Sequence, residues 1–229
     1  MMQEVNKDKR RYVDSARGRQ FQVNMPSENL DGIQSGTLKL KYRGLRFPKN
    51  PFDIALYMRL IERLQPKTVI EIGTSQGGGA LWFADVCRSF GLETRVFTID
   101  LDPPQNRHPG ITYLKGDAYD PEGTFPSQLL QSLPHPWLIS EDSAHTYDAC
   151  IAVLDYFVPK MQGGDYIVIE DGTVADFTEE RYREYQDGPN RAVSACLAAN
   201  IGVLEIDTDL CDLFGHNVTY APNAWLRRS

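Results

Sequence analysis

Five short apolar runs, each closing on glycine or an acidic residue, limit this chain to few architectures. They are TVIEIG (68–73), RVFTID (95–100), ITYLKGD (111–117), WLISED (137–142) and DYIVIED (165–171). Before and between them lie stretches with helical spacing. PFDIALYMRLIERLQ sets Ile54, Leu56, Tyr57, Leu60, Ile61 and Leu64 along one side, with Pro51 in a first turn that accepts proline and Pro66 as the stop. ALWFADVCRSF, TYDACIAVLDYFVPK and RAVSACLAAN repeat the pattern. Strands covered on both faces read as continuous apolar runs, so this order predicts an α/β fold: a doubly wound, mostly parallel sheet with helices on both faces. GVLEID (202–207) and a strand around His216–Tyr220 are expected to add a terminal pair.

Such sheets bind ligands beyond the carboxyl ends of their strands, where strand order reverses. The first run ends in Glu71-Ile-Gly73-Thr-Ser-Gln-Gly77-Gly78-Gly79. Glycine lets backbone approach a ligand closely, and the following helix presents free N–H groups. Serine at position 75 departs from the dinucleotide fingerprint, and no Gly-Lys-Ser/Thr of a P-loop follows. Asp100 closes the second run, where an acid can accept both hydroxyls of a ribose. Gly116-Asp117-Ala118 closes the third, where an adenine ring would lie. Strand-end aspartates also serve as helix caps. The three features in this order point to an adenosine-type ligand without phosphates.

Asp142 ends the fourth run and Glu170-Asp171 the fifth. If those strands are neighbours, three carboxylates converge, and their mutual repulsion calls for a cation. Oxygen-only donors favour a hard divalent ion such as Mg²⁺, Mn²⁺ or Ca²⁺. His145, three residues past Asp142, can face the same cleft and take a proton from a hydroxyl, or else pack on the helix that starts nearby. No His-x-Asp or His-x-Glu pair supplies the facial triad of an iron oxygenase.

At these residues the chain resembles class I S-adenosylmethionine-dependent methyltransferases. NPFDIALYMRLIERLQPKTVIEIGTSQGGGALWFAD, the DSAH tetrad (142–145), GGDYIVIED (163–171), GPNRAV (188–193) and WLRR (225–228) narrow the resemblance. They are similar to the cephalosporin hydroxylase and rhamnosyl O-methyltransferase family, with macrolide-sugar O-methyltransferases more distant. The likeness runs from about Leu40 onward. It implies a class I, Rossmann-like sheet and a divalent-metal-dependent O-methyltransferase that moves a methyl group from S-adenosylmethionine to a small-molecule hydroxyl. The acceptor would be a sugar or other natural-product intermediate. A part in a hydroxylation and methoxylation system, and a phenolic, catechol-like acceptor, stay open.

Carried over by position, the resemblance assigns Glu71, Gly73 and Gly77 to the methionine part of the cofactor, Asp100 to the ribose and Asp117-Ala118 to the adenine. Thr74, Ser75, Gly78 and Asp142 belong to the same cofactor-binding set. Asp142, Glu170 and Asp171 would hold Mg²⁺ or Mn²⁺, and His145 would be the base. The chain departs from the family at Glu141, which inside its strand must find a partner.

Composition is consistent with this. The net charge of −7 argues against nucleic acid or an anionic membrane as the main partner. Cys87, Cys150, Cys196 and Cys211 form no Cys-x-x-Cys pair and read as free thiols of a cytoplasmic protein. The polar first residues lack the apolar stretch of a signal peptide. Residues 1–50 read as an N-terminal extension with a basic cluster at Lys7, Lys9, Arg10 and Arg11. An active-site cover and a homo-oligomer contact are both open to it, ahead of a methyltransferase domain at 51–229.

Overall fold

The structure is a computed structural model that describes residues 11–105 and 107–229; Lys7, Lys9 and Arg10 of the basic cluster lie outside them. The chain enters through a two-residue strand β1 (Tyr12–Val13), a helix α1 (Ser27–Thr37) and a small hairpin, β2 (Lys41–Tyr42) with β3 (Leu45–Arg46). Helix α2 (Pro51–Leu64) follows, its first turn capped by Asn50, whose side chain accepts from Phe52 N–H at 2.7 Å. The left-handed Gln65 and then Pro66 end it. The alternation that follows is β4 (Thr68–Ile72), α3 (Gly78–Ser89), β5 (Arg95–Asp100) and β6 (Ile111–Lys115). Two short helices, α4 (Pro121–Thr124) and α5 (Ser127–Gln131), lead to β7 (Trp137–Glu141), α6 (Tyr147–Phe157) and β8 (Tyr166–Ile169). The chain finishes with α7 (Gly188–Ala199), β9 (Leu204–Asp207), α8 (Thr208–Cys211) and β10 (Trp225–Arg228).

The main sheet runs β1-β9-β10-β8-β7-β4-β5-β6. From β6 to β8 all pairings are parallel, and β10 inserts antiparallel between β8 and β9. The chain builds outward from β4 through β5 to β6, then crosses back to lay β7 on the other side of β4. The switch point therefore lies beyond Ile72 and Glu141, which pair in register. Strand alternation places Glu71, Thr98 and Ser140 side by side on one face. There Tyr57 of α2 packs against Phe83 of α3 and Trp225 of β10, with ring centroids 5.0 and 4.6 Å apart. Val153 and Phe157 of α6 and Val193 of α7, all fully buried, belong to the same continuous core. Among the described residues no helix is long and apolar enough to cross a membrane.

One expected strand does not form. Residues 216–220 are irregular, and the terminal strand is Trp225–Arg228 instead. Asn217 and Asn223 adopt φ of 52° and 55°, outside the extended region, and each side chain donates to the Gln20 carbonyl. Asp53 takes up the intervening backbone, accepting from Thr219 Oγ1 at 2.6 Å and Tyr220 N–H at 3.0 Å. The Tyr220 N–H committed to Asp53 is thereby lost to a sheet ladder.

Residues 11–50 carry more structure than an irregular arm. β1 closes the sheet edge, and α1 joins Phe177 and Tyr220 in a small second core built on Val23 and Leu30.

Candidate active site

The turn after β4 is shaped by close approach. Gly73 has φ of 106°, and a Cβ there would lie 2.0 Å from the Asp142 carbonyl oxygen. Only glycine lets the two strand ends of the switch point touch in this way. Ser75, at φ of 48°, donates its N–H to Asp100 Oδ2 at 2.8 Å, so the glycine turn and the β5 acid are already tied together. Gly77 starts α3 in a left-handed conformation, and Gly78 packs under the Arg46 carbonyl, where a Cβ would come within 2.1 Å. Both glycines act on backbone packing and line neither cavity of the site. Thr74 is buried, its hydroxyl 2.7 Å from that of Thr98, and Thr98 donates to Glu71 at 2.6 Å. Burial drives the Glu71 carboxyl up to about 8, against the pull of Lys49 and Thr98.

Two cavities open beyond the strand ends. The smaller, about 260 Å³, is lined by Asp100, Leu101, Gly116, Asp117, Ala118 and Tyr119. Leu101 and Tyr119 are exposed apolar side chains at this cavity, and Tyr119 is held by a 2.8 Å hydrogen bond to Thr146. The larger, about 370 Å³, contains Lys49, Glu71, Asp142, His145 and Asp171. It is bordered by Gln34, Arg46 and Phe47 from the N-terminal segment and by Phe177, Arg181, Tyr182 and Tyr185 from the stretch after β8. Gly73, Ser75, Asp142 and Ser143 line both cavities, so the two meet beside Asp142.

The expected acids converge, but not in one equivalent set. Asp142, His145 and Asp171 each offer a ligand atom within 4.8 Å of the others. Asp171 sits in a left-handed turn at φ of 56° and its carboxylate lies 3.4 Å from His145 Nε2. Glu170 points into the face shared with α2, where Tyr57 and Ser140 donate to it. Lys49 Nζ lies 2.6 Å from Glu170 Oε2 and 2.9 Å from Asp142 Oδ2, with its side chain 4% exposed. Burial opposes the ammonium, but Asp142 and Glu170 outweigh it and hold the Lys49 pKa above its ordinary value. Burial raises the Glu170 and Asp171 carboxyls despite Lys49 and His145, as expected of a cluster with more anions than cations. Two carboxylates and an imidazole within reach of one another, with a third carboxylate adjacent and charge left uncompensated, suit a hard divalent ion.

His145 also has an unusual backbone, at φ of 54°, and its Nδ1 is buried without a hydrogen-bond partner among the described residues. Burial depresses the imidazole's proton affinity, while Asp171 and Asp142 raise it, and the balance lies above the ordinary histidine value. The GPNRAV stretch braces this geometry. Gly188 packs against the Thr146–Tyr147 backbone so tightly that a Cβ would lie 2.5 Å from Tyr147 N. Asn190 donates to the Gly172 carbonyl at 2.6 Å, next to Asp171.

Glu141 finds its partners on the opposite face. It is fully buried, accepting from Ser143 N–H and Oγ and from Cys150 Sγ of α6 at 3.2 Å. Burial raises its pKa, and Asp142 keeps its register through N–H donation to the Ile72 carbonyl at 2.8 Å.

Sequence reasoning did not single out Lys49, Tyr57 or Ser140. Tyr57 and Ser140 sit within periodic apolar runs and read as core. Lys49 falls in a polar stretch, where nothing distinguishes it from a solvated lysine.

Comparisons with known proteins give the chain a family. The profile of the family described as Rhamnosyl O-methyltransferase/CmcI matches residues 35–229, and the chain belongs to that family. It is 29% identical over 197 residues to the Rhamnosyl O-methyltransferase of Mycobacterium tuberculosis (strain ATCC 25618 / H37Rv), covering 83% of this chain and 79% of the relative. The Mycobacterium leprae (strain TN) protein of the same name is 27% identical over 192 residues, covering 82% of each. Among solved structures, apo CmcI superposes with a TM-score of 0.65 at 28% identity, over 83% of this chain and 76% of that one. A Mg-SAM form of CmcI gives 0.63 at 25% identity, over 84% and 77%.

Proposed function

We propose that this member of the Rhamnosyl O-methyltransferase/CmcI family transfers the methyl group of S-adenosylmethionine to a hydroxyl of a small molecule, a sugar or other natural-product intermediate, with Mg²⁺ or Mn²⁺. The observation that carries the reading is the meeting of two cavities beside Asp142. The smaller has the polar and apolar groups an adenosine needs, and the larger holds the acids, the histidine and the room for an acceptor. The names of the mycobacterial relatives and the Mg-SAM form of CmcI support the choice of reaction and cofactors. Cytoplasmic action fits four cysteines that are all free and buried.

In this reading Asp100 accepts the ribose hydroxyls, Asp117 and Ala118 flank the adenine, and Glu71, Gly73, Thr74 and Ser75 border the methionine end. Gly77 and Gly78 serve by shaping the turn. Asp142 and Asp171 hold the ion, with Glu170 adjacent and His145 beside them. When bound there, such an ion would supply Lewis-acid chemistry that lowers the pKa of an acceptor hydroxyl. His145 takes the hydroxyl proton as the oxygen displaces sulfur at the methyl carbon, and the C–S bond electrons return to sulfur. Asp171, close to His145 Nε2, stabilises the imidazolium that results.

The test is to incubate the protein with S-adenosylmethionine and a panel of sugar and phenolic hydroxyl compounds, and to follow gain of one methyl group by mass spectrometry. Transfer should vanish with a strong chelator and return with Mg²⁺ or Mn²⁺. Full transfer after exhaustive chelation would remove the metal from the mechanism. Cofactor binding without transfer to any hydroxyl would make the chain a binding protein.

A further inference from the structure

Lys49 stands where a cation is needed. Its ammonium contacts Asp142 and both oxygens of Glu170, at 2.9, 2.6 and 2.6 Å. Glu170 Oε1 also receives Tyr57 and Ser140, so Lys49 completes the hydrogen bonding of a carboxylate that is 3% exposed. Burying such an anion without a partner is strongly unfavourable. Lys49 is not a loose side chain, because its neighbour Asn50 caps α2 and its ammonium lies 5.7 Å from the Tyr57 ring centre. The same Asp142 belongs to the group that can hold a metal ion.

We infer that Lys49 is a built-in counter-cation that holds the carboxylate cluster together in the metal-free protein and competes with the divalent ion for it. This inference rests on the metal-assisted reading above. Two cations drawn to the same Asp142 carboxylate repel each other, and water screens that repulsion little at a buried site. Lys49 thus weakens metal binding while keeping the metal-free chain folded. It tunes the site toward an ion that is gained and lost, in contrast to a permanent structural metal.

The experiment is Mn²⁺ titration of the full chain, by calorimetry and by electron paramagnetic resonance, for wild type, Lys49→Met and Lys49→Arg. Thermal melts with and without Mn²⁺ accompany it. Lys49→Met keeps the length of the stem and removes the charge. It should bind Mn²⁺ about tenfold more tightly or better. It should also melt earlier than wild type without metal and recover more on adding Mn²⁺. Lys49→Arg, which retains the charge, should stay near wild-type affinity. Unchanged or weaker Mn²⁺ binding by Lys49→Met overturns the inference, as does a Lys49→Met chain that Mn²⁺ does not help to fold. Equal tightening by Lys49→Arg would also overturn it, since packing and not charge would then be the cause. A wild-type chain that binds no Mn²⁺ at any concentration removes the metal reading itself, which is a different outcome from wild-type binding that Lys49→Met leaves unaltered.

Discussion

The two cavities that meet beside Asp142 are built in different ways. The smaller takes its walls from the ends of β4, β5, β6 and β7 and the turns directly after them. Each wall is a short motif whose glycine or acid is placed by the strand before it. The larger shares the floor of Gly73, Ser75, Asp142 and Ser143 but draws its roof from remote segments. Gln34 and Tyr182, 148 positions apart, are joined by a 2.9 Å hydrogen bond, and Thr178 reaches Asp31 at 2.6 Å. A binding site made by a sheet's own strand ends is rigid and common to many folds of this type. A site roofed by distant segments can change its occupant without disturbing the sheet. On the reading proposed above, the nucleoside end of the cofactor falls to the first, its methionine end to the shared floor, and acceptor choice to the second.

If that division holds, damage on one side should leave the other intact. The largest effect is expected from His145→Ala, which should lower turnover about 10²–10⁴-fold. Calorimetry should find its affinity for S-adenosylhomocysteine close to wild type. A parallel collapse of cofactor binding would mean that the histidine organises both cavities. Asp100→Ala cuts the other way. Losing an acceptor for two ribose hydroxyls should cost about 1.5–3 kcal/mol of cofactor binding, read by titration calorimetry, with little change in acceptor KM.

Glu71, which lines the larger cavity, gives a pH signature. Its folded-state pKa of about 8 lies above the ordinary value of 4.5, so the unfolded chain releases this proton first. The stability it contributes is complete below the unfolded pKa and is lost as pH rises towards 8, at up to about 1.4 kcal/mol per pH unit. Urea denaturation of the cofactor-free protein from pH 5 to 9 should show wild type losing ground steadily to Glu71→Gln. Parallel curves would mean that Glu71 is ionised throughout. The smallest effect is expected in the roof. Tyr182→Phe removes the hydroxyl held by Gln34 and should cost about 1 kcal/mol, seen as a several-fold rise in acceptor KM. Equal loss of cofactor affinity would show that the roof closes over both ligands.

Legibility followed the same division. β5 runs over Arg95–Asp100 as its apolar run suggested, and α2 begins at Pro51 as its proline suggested. Asp100, Asp117, Ala118 and Asp142 line the smaller cavity because each ends a strand whose period is plain or lies in the turn just after one. The roof residues Phe177 and Tyr182 lie in a stretch with no sustained period, and their meeting with α1 left no local trace. The expected strand near Tyr220 failed for a related reason. Its apolar residues look extended, but the left-handed asparagines and the buried Asp53 claim that backbone for a loop.

Local pattern alone determined the alternation of strands and helices, the glycine turn and the placing of acids at strand ends. These depend on periodicity, on backbone angles that only some residues adopt, and on neighbours within a few positions. Tertiary structure decided how those acids are used. Glu141 and Glu170 both lie in or just beyond adjacent strands, and both are buried. The pleat sends Glu141 towards α6, where Cys150 and, from the turn between, Ser143 are neutral donors, and leaves Glu170 facing α2 and Lys49. Coulomb attraction depends on distance in space and on exclusion of water, and neither is written in sequence separation. The 121 positions between Lys49 and Glu170 closed to 2.6 Å only when β8 took its place beside β7.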